Sequence, residues 1–241
     1  YKRQSQYILI IGSIVALVFL AVAGNEKRAA AGLTRQNWKS AVLIVLAFVG
    51  IYIVRTVVSV AVQGVSDGSG MQHVKEWAAM FKNPMMWLNI AALPINYFFV
   101  FIAFFGEEYG WRYYLQPVLQ KRFGLRAGVI ILGIVWGLWH IPDDLFYYTQ
   151  TSGIQMIFAQ QITCISLGIF FAYAYMKTQN IWVPVCLHYL NNNLIPIISG
   201  TFSADVLENQ TVSWKDLPVA LVLNGSVSYT HLRAHETRSN L

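Results

Sequence analysis

Two adjacent glutamates, Glu107 and Glu108, follow an apolar run that ends at Gly106, and Arg112 lies four residues after the second glutamate. Charged groups are costly at membrane depth, where they usually face a protein interior or a hydrated cavity. Residues four apart share a helix face, so Glu108 and Arg112 are expected to form an ion pair. Glu107 is rotated about 100° around the same helix. It is therefore the glutamate that is free to act as a base.

One histidine lies in each of two later apolar segments, His140 and His188, and Asn192 follows His188 by four residues. His188 and Asn192 are expected to converge on one point, with Asn191 as a weaker option. A glutamate beside a histidine can hold and deprotonate a water molecule. Imidazole or carboxamide donors can then stabilise the oxyanion that forms when this water attacks an amide. These residue types therefore predict amide hydrolysis.

Zinc offers a second way to use the same residues. If a zinc ion is bound, Glu107, His140 and His188 would supply a two-histidine, one-glutamate ligand set with an open position for water. The sequence lacks the compact HExxH pattern on one helix, so metal ligation is less secure than in a zincin. The residues alone leave both mechanisms open.

The composition indicates that a membrane protein carries these residues, because 56% of the 241 residues are hydrophobic and only 12% are charged. A helix needs about 20 apolar residues to cross the hydrocarbon core and satisfies its own backbone polar groups there. We therefore expect an all-α, polytopic transmembrane helix bundle with a polar intramembrane cavity. Prolines at 94, 184 and 196 are expected to kink or break their helices. The predicted spans are Tyr7–Ala23, Ala41–Val62, Met85–Gly106, Ala127–Pro142, Ile154–Met176 and Ile181–Ser199, with a shorter apolar stretch at Leu217–Leu223.

A single transmembrane domain is expected over residues 1–226, with about six full spans, a partial one and a motif core at 85–200. Residues 227–241 are polar, show no apolar helical period and resemble a translated sequencing-adapter tail. His231 and His235, whose spacing could suit a metal, are therefore given no role. The chain begins at Tyr1 without a methionine, and truncation at both ends is expected.

Lysines and arginines predict the orientation, since they concentrate on the cytoplasmic side of membrane proteins. This bias explains the net charge of +6, and no basic stripe is interleaved with base-stacking aromatics, so no nucleic-acid partner is expected. A multi-pass protein of the cell membrane, in particular the bacterial plasma membrane, is predicted, with Cys164 and Cys186 as free thiols. Arg55, deep in the second span, either pairs with a site carboxylate or extends toward the surface. The expected cytoplasmic cations are Lys27, Arg28, Arg35, Lys39, Lys121, Arg122, Arg126 and Lys177, and the expected opposite-side acids include Asp143, Asp144, Asp205 and Glu208.

The residues described above lie in three short sequence motifs. The first is EEYGWRYYLQPVLQKRFG from Glu107 to Gly124, which contains EExxxR; the second is WGLWHIP from Trp136 to Pro142; the third is HYLNN from His188 to Asn192. Together they resemble the CAAX protease and bacteriocin-processing family, also called the Abi family, which is related to the type II CAAX prenyl protease. The resemblance covers about residues 85–200.

The resemblance implies an intramembrane endopeptidase in which Glu107 and His140 activate water. It further implies that His188 and Asn192 stabilise the oxyanion and that Glu108 and Arg112 support the site. Trp136 stands where the family usually has phenylalanine, which keeps an aromatic wall. The implied substrate is a membrane-associated peptide or protein, either lipid-modified or a bacteriocin precursor. The alternative is a non-catalytic protein of the same fold, such as an immunity or scaffold factor, or a small transporter.

Overall fold

The computed structural model describes residues 11, 13–15, 17–19, 21–23, 33, 36–200 and 209–225. Within these residues the chain forms helices and no strand, which confirms the all-α prediction. The predicted tail at 227–241 and part of the predicted first span, Tyr7–Ala23, lie outside them. The elements are α1 (Trp38–Ser66), α2 (Gln72–Met80), α3 (Pro84–Glu108), a π-helical segment (Tyr109–Leu115), α4 (Gln116–Phe123), α5 (Leu125–Trp139), a short turn (Ile141–Asp143), a second π-helical segment (Asp144–Tyr148), α6 (Gly153–Thr178), α7 (Trp182–Ser199) and α8 (Asp216–Gly225).

Among the described residues, four helical stretches are long and apolar enough to cross a membrane, which confirms a multi-pass protein. They are Trp38–Ser66, Pro84–Phe123, Leu125–Tyr148 and Gly153–Thr178. The predicted span at Ile181–Ser199 forms as helix α7 but is not one of the four, because its histidine and three consecutive asparagines lower its hydropathy. Helix α8 contains the predicted short apolar stretch and is too short to span.

The regular helix is interrupted at the glutamates and not at the prolines. Pro94 lies inside α3 and Pro196 inside α7, and both helices continue through them. Neither proline breaks its helix, since a long packed helix tolerates one lost backbone bond. Directly after Glu108 the chain instead adopts seven residues of π-helix. Such segments inside helices are rare and are frequent at functional sites.

A sharp turn at Gly124, where φ is 85°, reverses the chain between α4 and α5. Helix α5 then returns antiparallel along α4. Glu107 precedes Gly124 by almost as many residues as His140 follows it, so the hairpin brings both to a similar depth. The hairpin alone therefore explains why the first two motifs meet.

Helix α5 packs closely on α6 because Gly133 lies at the contact. A Cβ atom placed on Gly133 would come within 2.6 Å of the Cα atom of Ile165, so only glycine permits this approach. Where α1, α5, α6 and α7 meet, the core is built on Phe48, Trp136, Phe171 and Leu187. The Trp136 ring lies 6.1 Å from the Phe171 ring, and this aromatic layer forms one wall of the site.

Candidate active site

Glu108 is the centre of a buried cluster in which both of its own carboxylate oxygens are hydrogen-bonded, while Nη1 and Nη2 of Arg112 have no hydrogen-bond partner. Its Oε2 accepts a hydrogen bond from Arg112 Nε at 2.8 Å, and its Oε1 accepts one from His188 Nδ1 at 2.9 Å. Glu108 and Arg112 are 0% exposed and His188 is 4% exposed. The pair predicted from the four-residue spacing is present, and His188 joins it as a third member. A charge buried in this way must be paired, and Glu108 uses both oxygens to do so.

The Arg112 guanidinium is also held by aromatic rings. Its Cζ lies 5.0 Å from the centroid of the Trp136 ring and 5.4 Å from that of Phe171. Cation–π contacts of this kind strengthen when the cation is removed from water. The second motif and helix α6 therefore stabilise the charge that balances Glu108.

Glu107 has the opposite environment. Its Oε2 is buried and has no hydrogen-bond partner. The indole N–H groups of Trp111 and Trp136 lie near this carboxylate without completing a hydrogen bond to it, and His188 is within electrostatic range. One acceptor and two donors are thus left unsatisfied in one buried region. In native structures such groups need an explanation, and a catalytic role is one.

His140 lies directly after the last residue of α5, with its ring partly buried. Its Nδ1 is 2.9 Å from the carbonyl oxygen of Trp136, and because a carbonyl can only accept, Nδ1 carries the hydrogen. In the neutral ring, Nε2 then holds the lone pair and can act as a base. The Sγ atom of Cys164 lies 3.7 Å from Nδ1. Cys164 and Cys186 are both free thiols, as predicted.

Asn192 is exposed on α7, and its Oδ1 accepts a hydrogen bond from Asn191 Nδ2 at 2.9 Å. Asn191 Oδ1 in turn accepts one from the Tyr52 hydroxyl at 2.9 Å. Helix α1 therefore orients the carboxamides of the third motif, which the sequence did not indicate. The Arg55 guanidinium lies 5.3 Å from the Tyr52 ring and pairs with no carboxylate among the described residues.

The predicted zinc ligands do not converge in the described part of the chain. No group of three or more His, Cys, Asp or Glu residues is arranged there to hold a metal ion, although Glu107, His140 and His188 are all described. The side chains thus do not fit a three-ligand zinc site, and no catalytic step is derived through one.

A cavity of about 490 Å³ lies further along the chain than the glutamates, toward the predicted cytoplasmic side. Its lining includes Tyr113, Gln116, Gln120 and Tyr175.

Asp144 was missed as a site residue. The sequence placed it with the exposed acids on the far side of the membrane, but it is 0% exposed and neither of its side-chain oxygens has a hydrogen-bond partner. The available signal was its position four residues after His140, which places two polar residues on adjacent turns of one helical stretch.

Comparison with known proteins finds a family model and one curated relative. Residues 88–194 match the family model described as type II CAAX prenyl endopeptidase, Rce1-like. This segment contains all three motifs and is similar to the CAAX protease family. A curated relative, CAAX prenyl protease 2 of Methanococcus maripaludis, is 28% identical over 125 residues, which cover 48% of this chain and 45% of the relative. The match thus spans less than half of that CAAX protease's length. No solved structure matches the chain.

Proposed function

We propose that this protein is an intramembrane endopeptidase that hydrolyses a peptide bond with water activated by Glu107 and His140. The observation that carries the proposal is the contrast between two neighbouring carboxylates. Glu108 uses both oxygens within the protein, whereas the buried Oε2 of Glu107 has no partner. A buried base without a protein partner is suited to accept a proton from water or substrate.

The proposed reaction begins when Glu107 takes a proton from water and the water oxygen attacks the carbonyl carbon. The tetrahedral oxyanion needs hydrogen-bond donors, which His188 Nε2 and the Asn192 carboxamide would supply. For Nε2 to donate while Nδ1 donates to Glu108, the His188 ring must be an imidazolium, and the Glu108 carboxylate stabilises that positive charge. His140 Nε2, which holds a lone pair, would accept a hydrogen bond from the attacking water and so orient it. When the C–N bond breaks, the leaving nitrogen receives the proton that Glu107 took from water.

The proposed substrate is a membrane-associated peptide or protein. Exposed apolar side chains lie on either side of His140, namely Leu138, Trp139, Leu145 and Phe146. Such a surface suits a substrate that reaches the site within the bilayer, including a lipid-modified chain of the kind implied by the relative's name. A bacteriocin precursor is the other proposed substrate. The proposed location is the bacterial plasma membrane.

The test compares purified wild-type protein with Glu107→Gln and His140→Ala in lipid vesicles containing a peptide library, with products detected by mass spectrometry. Cleavage by the wild type and a loss of at least about 10²-fold in either variant are expected, since general acid–base groups contribute that much. Glu76→Gln makes the same chemical change at an exposed position on α2 and serves as the control. Equal cleavage by all four proteins, or no cleavage by the wild type, would overturn the proposal.

A second arm of the assay addresses zinc. Cleavage is expected to persist in the presence of a chelator, because the described side chains do not converge on one metal position. Loss of cleavage on chelation and its restoration by zinc would instead assign Glu107, His140 and His188 as ligands in a metal mechanism.

A further inference from the structure

Asp144 begins the second π-helical segment, immediately after the turn that follows His140. Its side chain is 0% exposed, and neither Oδ1 nor Oδ2 has a hydrogen-bond partner. An ionised carboxylate left in this state is costly, because its oxygens have lost water and gained nothing in return. Its position therefore calls for a partner from outside the protein.

Three other acidic side chains of the described chain are paired within the protein. Glu108 accepts from Arg112 and His188, Asp67 accepts from the Ser69 backbone N–H and contacts His73, and Asp216 accepts from the Ser213 backbone N–H. Acids that serve the fold are thus paired within it. Glu107 and Asp144 both have buried, unpaired carboxylate oxygens.

Asp144 lies next to His140. The Asp144 backbone N–H donates a hydrogen bond to the His140 carbonyl oxygen at 2.9 Å. The two residues are four apart along one helical stretch, so their side chains share a face. Asp144 is therefore placed beside one of the two residues proposed to activate water.

The segment that carries Asp144 is fixed at its other end. The Tyr148 carbonyl oxygen accepts a hydrogen bond from Gln210 N at 2.9 Å, and Ser152 Oγ accepts one from Val212 N at 3.0 Å. Thr149 Oγ1 lies 3.0 Å from Ser152 Oγ. These bonds tie the chain after Tyr148 to residues 210–212, so the backbone that positions Asp144 is braced.

We propose that Asp144 is a substrate-positioning residue whose carboxylate accepts a hydrogen bond from a main-chain N–H group of the peptide beside the bond that is cut. The inference rests on the proposed function. An ionised carboxylate only accepts hydrogen bonds, and an extended peptide offers one N–H group per residue on either side of the reacting carbonyl. With Asp144 engaged, the peptide cannot slide, and the reacting carbonyl stays opposite Glu107.

The experiment uses the full chain in lipid vesicles and a peptide that the wild-type protein has been found to cleave. Asp144→Ala is expected to raise KM about tenfold while kcat changes less, because the bond is made before and during the reaction. Asp144→Asn keeps an acceptor oxygen and is expected to recover most of that loss. Asp143→Asn, at the half-buried neighbour, is the matched control, and its KM is expected to stay within about twofold of wild type.

A set of peptides methylated at one backbone nitrogen each gives the decisive readout. Methylation at one position is expected to raise the wild-type KM about tenfold and to have no further effect on Asp144→Ala, since both changes remove the same bond. An unchanged KM for Asp144→Ala overturns the inference while leaving the proposed function intact. An increase in KM on methylation that is equal in the wild type and in Asp144→Ala also overturns the inference and leaves the proposed function intact. Absence of any cleavage by the wild type overturns the proposed function and the inference with it.

Discussion

Glu107 and Glu108 are neighbours in the chain and opposites in environment. Glu108 is enclosed by Arg112 and His188, with both oxygens hydrogen-bonded and the cation held against two aromatic rings. Glu107 has a buried oxygen with no partner, and two unpaired indole N–H groups lie near it. One helical step of about 100° separates the two. The paired side is built to be rigid, and the unpaired side is left to interact with something else.

The two histidines are each held by the protein through one ring nitrogen. Each uses Nδ1 to bind the protein, His188 through the Glu108 carboxylate and His140 through the Trp136 carbonyl oxygen. Each therefore keeps Nε2 for the reaction. Fixing one ring nitrogen sets the tautomer and the orientation of the other, which is how supporting residues prepare a catalytic histidine. In the proposed mechanism, the cluster around Glu108 therefore orients a reacting group.

The largest expected effect comes from breaking the paired cluster. Arg112→Leu leaves Glu108 and His188 buried without their cation and is expected to lower the free energy of unfolding by about 3–5 kcal/mol. Chemical unfolding in detergent measures the loss.

The control for this experiment is the double variant Glu108→Gln, Arg112→Met, which removes both charges and is expected to recover much of the stability. It should remain inactive, because His188 has lost its anchor. Equal stability of the single and double variants would mean that the cluster is not a structural ion pair.

Local features of the site could be predicted from the sequence, and long-range ones could not. The Glu108–Arg112 pair follows from four-residue spacing on one helix. The similar depth of His140 and Glu107 along the two helices follows from the hairpin at Gly124. The partner of His188 depends instead on the tilt and rotation of α7 against α3, which no periodicity encodes. The burial of Asp144 was missed because two consecutive aspartates after an apolar segment are usual at a membrane surface.

Tyr52→Phe tests whether the rigid support extends to the third motif. Losing the hydroxyl donor leaves Asn191 Oδ1 unpaired and frees the carboxamide that bonds Asn192. We expect kcat/KM to fall by about tenfold or less, as one hydrogen bond contributes about 0.5–1.5 kcal/mol. Tyr114→Phe, at an exposed position beyond the glutamates, is the matched control. An unchanged rate in Tyr52→Phe would exclude α1 from the support of the site.

The smallest expected effect concerns an acid–histidine pair outside the membrane helices. Asp67 Oδ2 lies 2.6 Å from His73 Nε2 at an exposed position. Like the Glu108–His188 pair, this contact joins a carboxylate and an imidazole, but it is exposed to water. The hydrogen bond with His73 holds the pKa of Asp67 well below its usual range, and the same bond raises the pKa of His73. A lowered acid pKa stabilises the fold above the acid's usual pKa, and a raised histidine pKa stabilises it below the usual histidine pKa. Both contributions are therefore complete between about pH 4 and 6.5.

Asp67→Asn is accordingly expected to lower the Tm slightly at pH 5.5 and by less at pH 9, where His73 is neutral and only the hydrogen bond from the Ser69 N–H still favours the carboxylate. Added salt should reduce the difference at pH 5.5, because exposed pairs are screened and contribute little. The destabilisation caused by Arg112→Leu should respond weakly to salt, since ions do not reach the buried cluster. A salt response of the same size for both variants would contradict the distinction between a solvated pair and a pair that the helices enclose.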